Sequence, residues 1–164
     1  MMSDPQPPDT FYLQAAQGWL ELGNHVEANL ELENIAPELQ AHPAVLRLRW
    51  GVFAAAKNWE EALEIAARLI HLYPEDPLGW VHRSYTLHEL KRTAEARDNL
   101  LRVVDKFPIC ATMRYNLACY ECQLGHLDLA RTWLEKAFKL GDATEMKMAA
   151  LEDPDLEPLR RAAR

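Results

Sequence analysis

The chain has 164 residues, 49% of them hydrophobic, and a formal net charge of −7, which suits one domain of ordinary size with a substantial core. The excess of acid disfavours nucleic acid as a partner, because nucleic-acid binding depends on neutralising phosphates. No run approaches the roughly 18 apolar residues of a membrane helix, and the first ten residues lack the basic and apolar regions of a secretory signal, so we expect a cytoplasmic protein that does not bind membranes.

The predicted elements begin after a short disordered lead at residues 1–8. Pro43 suits the first turn of a helix, where a missing N–H costs nothing, and Asp76 is an expected N-cap before Pro77. Asn24 and Asn58 are expected N-caps of further helices. No segment of alternating β-branched residues competes with the helical pattern. Eight repeat helices are predicted, at about residues 9–22, 25–36, 43–56, 59–72, 77–90, 93–106, 111–124 and 127–140.

Residues 143–164 follow the last predicted repeat helix and form a separate C-terminal segment. We predict a helix to about Leu151, a break at Pro154, and a short helix with Leu156 and Leu159 turned inward. Repeat arrays need an atypical end that covers the last exposed apolar face. The segment is therefore expected to cap the array, and a tail that binds a partner is the alternative.

A period of 34 residues organises most of the chain. Alanine recurs at Ala28, Ala62, Ala96 and Ala130, and the expected turns between paired helices fall at Gly23, Lys57, Lys91 and Gly125. Self-similarity at a fixed period of 20–50 residues indicates a repeat architecture. The period divides the chain into four units without insertions, at residues 9–42, 43–76, 77–110 and 111–142.

These features resemble the tetratricopeptide repeat (TPR) family, whose unit is a 34-residue helix pair. The pattern is clearest in NWEEALEIAARLIHLYPEDP and in NLACYECQLGHLDLARTWLEKAFKLGD, and the resemblance covers about residues 9–142. Trp50 departs from the pattern, since it stands where the family has a small residue. The resemblance implies an all-α fold: an α-solenoid of four TPR helix pairs with a C-terminal capping helix.

The resemblance also implies a concave groove lined by the first helix of each unit. A partner peptide or helix would bind this groove, whose face combines small, apolar and aromatic side chains with a few polar ones. The predicted partner-binding residues are Leu13, Gln17, Arg47, Gly51, Leu78, Val81, Tyr85, His88, Tyr115, Cys119 and Cys122.

The predicted function is a non-enzymatic protein–protein interaction module without catalytic residues, metal or cofactor. The sequence contains no H-E-x-x-H pair, phosphate loop or nucleophile elbow. One alternative is a secretion-type or assembly chaperone built on TPR units. Another is a metal or redox protein that uses Cys119 and Cys122, although a mid-helix pair lacks the usual context of a reactive thiol. A homodimer is possible, because an open array can stack through its ends.

Overall fold

The computed structural model describes residues 3–164, and these residues form helices and turns without a β-strand. Within the same residues, no helix is both long and apolar enough to cross a lipid bilayer. Three short 3-10 turns, Pro37–Leu39, Val104–Lys106 and Pro154–Leu156, interrupt the α-helical series. The α-helices are α1 (Asp9–Glu21), α2 (His25–Glu33), α3 (Pro43–Ala55), α4 (Trp59–Leu72), α5 (Pro77–Glu89), α6 (Thr93–Leu101), α7 (Ala111–Gln123), α8 (Leu127–Leu140), α9 (Ala143–Glu152) and α10 (Glu157–Ala162).

The turn inside each helix pair has the same backbone geometry in all four predicted units. Gly23, Lys57, Lys91 and Gly125 have φ angles of 77°, 57°, 63° and 85°. In each turn, the next residue donates its N–H to a carbonyl five residues earlier, as in Asn24 N to Trp19 O at 2.8 Å. This is the Schellman arrangement, which ends a helix with one left-handed residue. The 34-residue period is therefore a period of backbone structure as well as of side chains.

The alanine column is fully buried in all four helix pairs. Ala28, Ala62, Ala96 and Ala130 are each 0% exposed, so no larger side chain fits without displacing its neighbours. Asn24 accepts a hydrogen bond from Glu27 N at 3.1 Å, which confirms its predicted role as an N-cap. Asn58 occupies the predicted N-cap position of α4, but its side chain forms no capping hydrogen bond there.

In two of the helix pairs, the second helix is shorter than the periodicity predicts. The sequence predicted helices to residues 36 and 106, but α2 ends at Glu33 and α6 at Leu101, and each is followed by a 3-10 turn. After α2, the Gln40 side chain donates to the carbonyls of Leu32 and Ile35 at 3.0 and 2.9 Å. These carbonyls are thus satisfied without a further helical turn.

The described chain divides into two compact units, of which unit 1 extends to His82. In unit 1, α1 packs against α2 and α3, and α3 packs against α4. The core of unit 1 includes two apolar clusters among the described residues. The first joins α1, α2 and α3 through buried residues that include Ala16, Ala28, Leu32, Ile35, Val45 and Val52, and the second joins α3 and α4 through Leu46, Ile65 and Leu69.

Unit 2 begins at Arg83 and runs to the end of the chain. Its central helix is α7, which packs against α6, α8, α10 and the 3-10 turn at Pro154–Leu156. Arg114 of α7 is only 8% exposed, and its guanidinium donates to the carbonyls of Phe107, Cys110 and Val104 at 2.8, 2.9 and 3.3 Å. The side chain thereby fixes the loop that follows α6.

The C-terminal segment has the predicted helix, break and short helix, but its packing differs from the expectation in one respect. Leu156 and Leu159 are 1% and 9% exposed, which confirms that they point inward. The helix α9, which belongs to the predicted cap, buries none of its residues fully, and Leu151 is 64% exposed. The fully buried side chains of this segment therefore lie after Pro154, although α9 also packs against α8.

Candidate partner-binding surfaces

The predicted groove residues of α1 and α3 meet at a surface cleft in unit 1. Leu13 and Gln17 of α1 face Arg47 of α3 across a cleft of about 460 Å³. We call this the α1–α3 cleft, and its lining is Leu13, Gln14, Gln17, Gly18, Glu21, Ala44, Arg47 and Leu48. The cleft thus combines two leucines with amide, carboxylate and guanidinium groups.

Two glycines lie on the helices that form this cleft, Gly18 on α1 and Gly51 on α3. A Cβ atom added to Gly51 would lie 3.1 Å from Leu20 Cδ1, so the glycine permits close packing of α1 on α3. A Cβ atom added to Gly18 would meet no heavy atom within 4 Å. Gly51 therefore contributes to the packing of α1 on α3, whereas Gly18 lines the cleft itself.

Arg47 connects the α1–α3 cleft with a second cleft of the same unit. Its guanidinium forms an ion pair with the carboxylate of Asp76, and both residues line a cleft of about 630 Å³ beside Tyr73 and Pro74. Asp76 also accepts the N–H of Leu78 at 2.9 Å, which confirms it as the N-cap of α5. Among residues 3–164, the Arg47 Nε atom is buried without a hydrogen-bond partner.

The remaining predicted residues of unit 1 lie on α5. Leu78 is 37% exposed and Val81 is 7% exposed, so Leu78 offers surface for contact and Val81 belongs mainly to the core. The unusual Trp50 stacks on His82, with ring centroids 3.9 Å apart. Burial lowers the pKa of His82 to about 4. The stacked ring of His82 thus accommodates the large side chain that departs from the family pattern.

In unit 2, the predicted residues of α5 and α7 contact residues 153–160, which we call the tail. Tyr115 donates its hydroxyl to Asp153 Oδ2 at 2.9 Å, and Cys119 Sγ lies 3.7 Å from the same oxygen. His88 Nε2 lies 3.0 Å from Asp155 Oδ2. The Nδ1 atom of His88 lies 2.9 Å from Thr93 Oγ1, so both ring nitrogens of His88 have partners.

We call the surface under the tail the α5–α7 face, and its residues are Tyr85, His88, Tyr115, Cys119, Cys122 and Gln123. Further contacts with the tail complete this surface. Gln123 Nε2 donates to the backbone oxygen of Asp155 at 2.7 Å. Cys122 is 1% exposed and lies beside the backbone of Leu159. Tyr85 remains 40% exposed at the edge. The face is thus largely covered by the chain's own tail.

The two cysteines of the Cys-x-x-Cys sequence have different neighbours. Burial raises the pKa of both thiols, and the carboxylates of Asp153 and Asp155 raise the pKa of Cys119 further. Reactive thiols need a lowered pKa, so these surroundings do not favour redox chemistry. Cys119, Asp153 and Asp155 bring ligand atoms within 4.8 Å of one another, but the Tyr115 and His88 contacts already engage both carboxylates.

Sequence reasoning did not identify the polar residues that hold the tail in place. Asp153 both caps the turn, by accepting Asp155 N at 2.9 Å, and binds Tyr115. Arg160 donates to the carbonyls of Ala150 and Asp153, each at 2.7 Å. The available signal was the run Asp153-Pro154-Asp155-Leu156, in which acids alternate with a turn-forming proline and a buried leucine.

The comparisons with known proteins concern the fold of the chain. The model of a tetratricopeptide repeat family matches residues 46–76. Solved structures of MamA share the fold over almost the whole chain, although their sequence identity is low enough that the likeness concerns the fold alone. MamA 41-end from Desulfovibrio magneticus RS-1 is 19% identical with a TM-score of 0.66, over 96% of this chain and 97% of that one. A MamA RS-1 double mutant is 18% identical with the same TM-score and coverage, and a MamA MSR-1 structure is 16% identical with a TM-score of 0.62, over 96% of each chain. The search of curated proteins finds no match.

The chain is therefore an all-α repeat protein of the α-solenoid class. Its resemblance to tetratricopeptide repeat proteins is confirmed, by the family model over one repeat and by the fold over the rest. This fold typically serves as a non-enzymatic interaction module, which supports a role as a scaffold with protein partners.

Proposed function

We propose that this protein is a non-catalytic interaction module that binds a partner peptide or helix in the α1–α3 cleft. The proposal rests on one observation: Leu13, Gln17 and Arg47 line the same open cleft of about 460 Å³. Side chains of a partner helix at positions i, i+3 and i+7 would fit such a surface between two helices. The α5–α7 face provides a second binding surface when the tail leaves it.

The charges around the cleft indicate the chemistry of the partner. Residues 1–42 contain seven acidic residues and neither Lys nor Arg, and Glu21 lies at the cleft itself. Arg47 is already paired with Asp76. A partner with an apolar anchor for Leu13 and Leu48 and a basic residue for Glu21 would complement this surface, and its association would be accelerated by the acidic field.

Filling the cleft tests this proposal without disturbing the core. In the Gly18→Leu variant, the new side chain enters open space, and replacing glycine in a helix interior favours the helix by roughly 1 kcal/mol. The variant should therefore stay folded and lose partner binding. The matched control is Ala67→Leu, which adds the same side chain at an exposed position of α4.

The readout is photocrosslinking in cells from p-benzoylphenylalanine placed at Gln17, with the same group at exposed Glu64 as a control. We expect a discrete adduct from position 17 that disappears in the Gly18→Leu background and persists in the Ala67→Leu background. Undiminished crosslinking in Gly18→Leu would refute the cleft as the binding site. The chaperone alternative, the cytoplasmic location and a homodimer remain predictions.

A further inference from the structure

The tail is held on the α5–α7 face in the way a bound peptide is held. Leu156 and Leu159 are buried where the tail packs against α7 and α8, while donors of the face engage the polar atoms of the tail: Tyr115 binds Asp153, and Gln123 binds the backbone of Asp155. Buried apolar anchors beside a few directional hydrogen bonds are typical of peptide recognition. The face and the adjacent surface of α8 therefore make both polar and apolar contacts with this short segment.

The tail is also pre-organised by its own residues. The Asp153 carboxylate accepts the N–H of Asp155, and the Arg160 guanidinium holds the carbonyls of Ala150 and Asp153. Pro154 and Pro158 restrict the backbone further. A segment that keeps its shape when it detaches loses less entropy on binding again, so the covered and open states differ mainly by the contacts on the face.

We infer that the α5–α7 face is a binding site for an acidic, leucine-bearing peptide, and that residues 153–160 are its resident intramolecular ligand. A partner segment with the same chemistry, two leucines three residues apart after a D-x-D pair, displaces the tail and takes its contacts. The face selects acidic residues with neutral or imidazole donors rather than with a cluster of Lys and Arg. This inference rests on the proposed function, since it treats unit 2 as a second peptide-binding surface.

Occupancy by the tail has a measurable consequence. A tethered ligand acts at an effective concentration of about 1 mM or more for a short linker, so it competes strongly with a free peptide. Loosening the tail should therefore raise the affinity for free peptide. The probe is a fluorescein-labelled peptide with the sequence of residues 152–160, EDPDLEPLR, measured by fluorescence polarisation against the full chain.

The loosened variant is the full chain with Leu156→Ser and Leu159→Ser, and the matched control carries Leu129→Ser and Met148→Ser at exposed positions of α8 and α9. We expect the peptide to bind the loosened variant at least tenfold more tightly than wild type or control. A peptide whose leucines are serines should not bind. Equal binding to wild type and to a loosened variant that remains helical would overturn the inference and leave the tail as a structural cap.

Hydrogen exchange provides a second test that does not depend on the loosened variant being folded. Tyr115→Phe and Gln123→Ala each remove one hydrogen bond to the tail and keep both leucines. We expect the amides of residues 156, 157, 159 and 160 to exchange at least threefold faster in both variants, and faster still in wild type with saturating EDPDLEPLR. Unchanged exchange in all three samples would contradict displacement of the tail, and rates that rise on dilution would assign the tail to a second copy of the chain.

These tests separate the two proposals. If EDPDLEPLR fails to bind while Gly18→Leu abolishes crosslinking from position 17, only the resident-ligand inference fails. If the peptide binds the loosened variant while Gly18→Leu leaves crosslinking intact, only the α1–α3 cleft fails.

Discussion

The left-handed turns that join the paired helices predict that glycine stabilises the protein at two positions now occupied by lysine. Lys57 and Lys91 have φ angles of 57° and 63°, a conformation that costs an L-residue about 1–2 kcal/mol. Glycine avoids this strain but loses more entropy on folding, a difference of about 0.5–1 kcal/mol. Both lysines are exposed. Lys57→Gly and Lys91→Gly should therefore each stabilise the chain by about 0.5–1 kcal/mol.

The natural glycines at the equivalent positions provide the reverse test. Gly23 and Gly125 have φ angles of 77° and 85°, and a Cβ atom at either would meet no heavy atom within 4 Å. Gly23→Ala and Gly125→Ala should thus be destabilised by backbone strain alone, by about 1 kcal/mol each. Glu64→Gly, at an exposed position inside α4, should also cost about 1 kcal/mol.

Urea denaturation followed by circular dichroism at 222 nm measures these differences. The change in the free energy of unfolding should have opposite signs for the same kind of substitution. Glycine should stabilise the chain at positions 57 and 91 and destabilise it at position 64. A difference of 1 kcal/mol corresponds to about 2–4 °C in Tm for a chain of this size. Destabilisation by Lys57→Gly as large as that by Glu64→Gly would refute the role of the turn conformation.

Three further substitutions test the packing of the two units. Ala96→Trp should cost roughly 1–3 kcal/mol by overpacking a position that is 0% exposed, and a urea midpoint equal to that of wild type would count against the helix register. Arg114→Met should cost about 1–3 kcal/mol because three backbone carbonyls lose their donor; a loss no larger than that of an exposed Arg→Met control would show that water replaces the guanidinium. His82, whose pKa is lowered from 6.5 to about 4 by burial, takes up a proton in the unfolded chain before the folded one as the pH falls. Stability should therefore decline between about pH 6.5 and 4, by at most about 3 kcal/mol, and His82→Phe, which keeps a ring against Trp50, should flatten this decline; an unaltered pH dependence of unfolding would exclude His82 as its source.

The fold could be predicted because its determinants recur at fixed spacing. The alanine column and the residues between paired helices each return every 34 residues, and the structure shows burial at the first and left-handed turns at the second. The residues at which α2 and α6 end were less predictable. These ends depend on hydrogen bonds from the side chains of Gln40 and Arg114 to backbone carbonyls. Each of these contacts occurs in one repeat, so the 34-residue periodicity does not predict them.

The candidate sites were predictable only in part, for a related reason. The family spacing brings Leu13, Gln17 and Arg47 to one cleft, because all three positions follow from helical periodicity. The spacing could not show that Tyr115 and His88 bind the tail, since these contacts join residues 38 and 67 positions apart. The burial of Leu156 and Leu159 could be predicted from the sequence, but the surface that they cover could not.

The polar residues of α7 show why the last helix pair behaves differently from those before it. Where α1 and α3 have Trp19 and Phe53, α7 has Glu121, which is 3% exposed and pairs with His126 Nδ1 at 2.6 Å. Its Arg114 binds the preceding loop, and its Tyr115 binds the tail. The helix therefore contacts non-periodic chain on both sides, as the end of an array requires. Because the tail covers most of the α5–α7 face, a partner peptide that binds this face as we propose must first compete with residues 153–160.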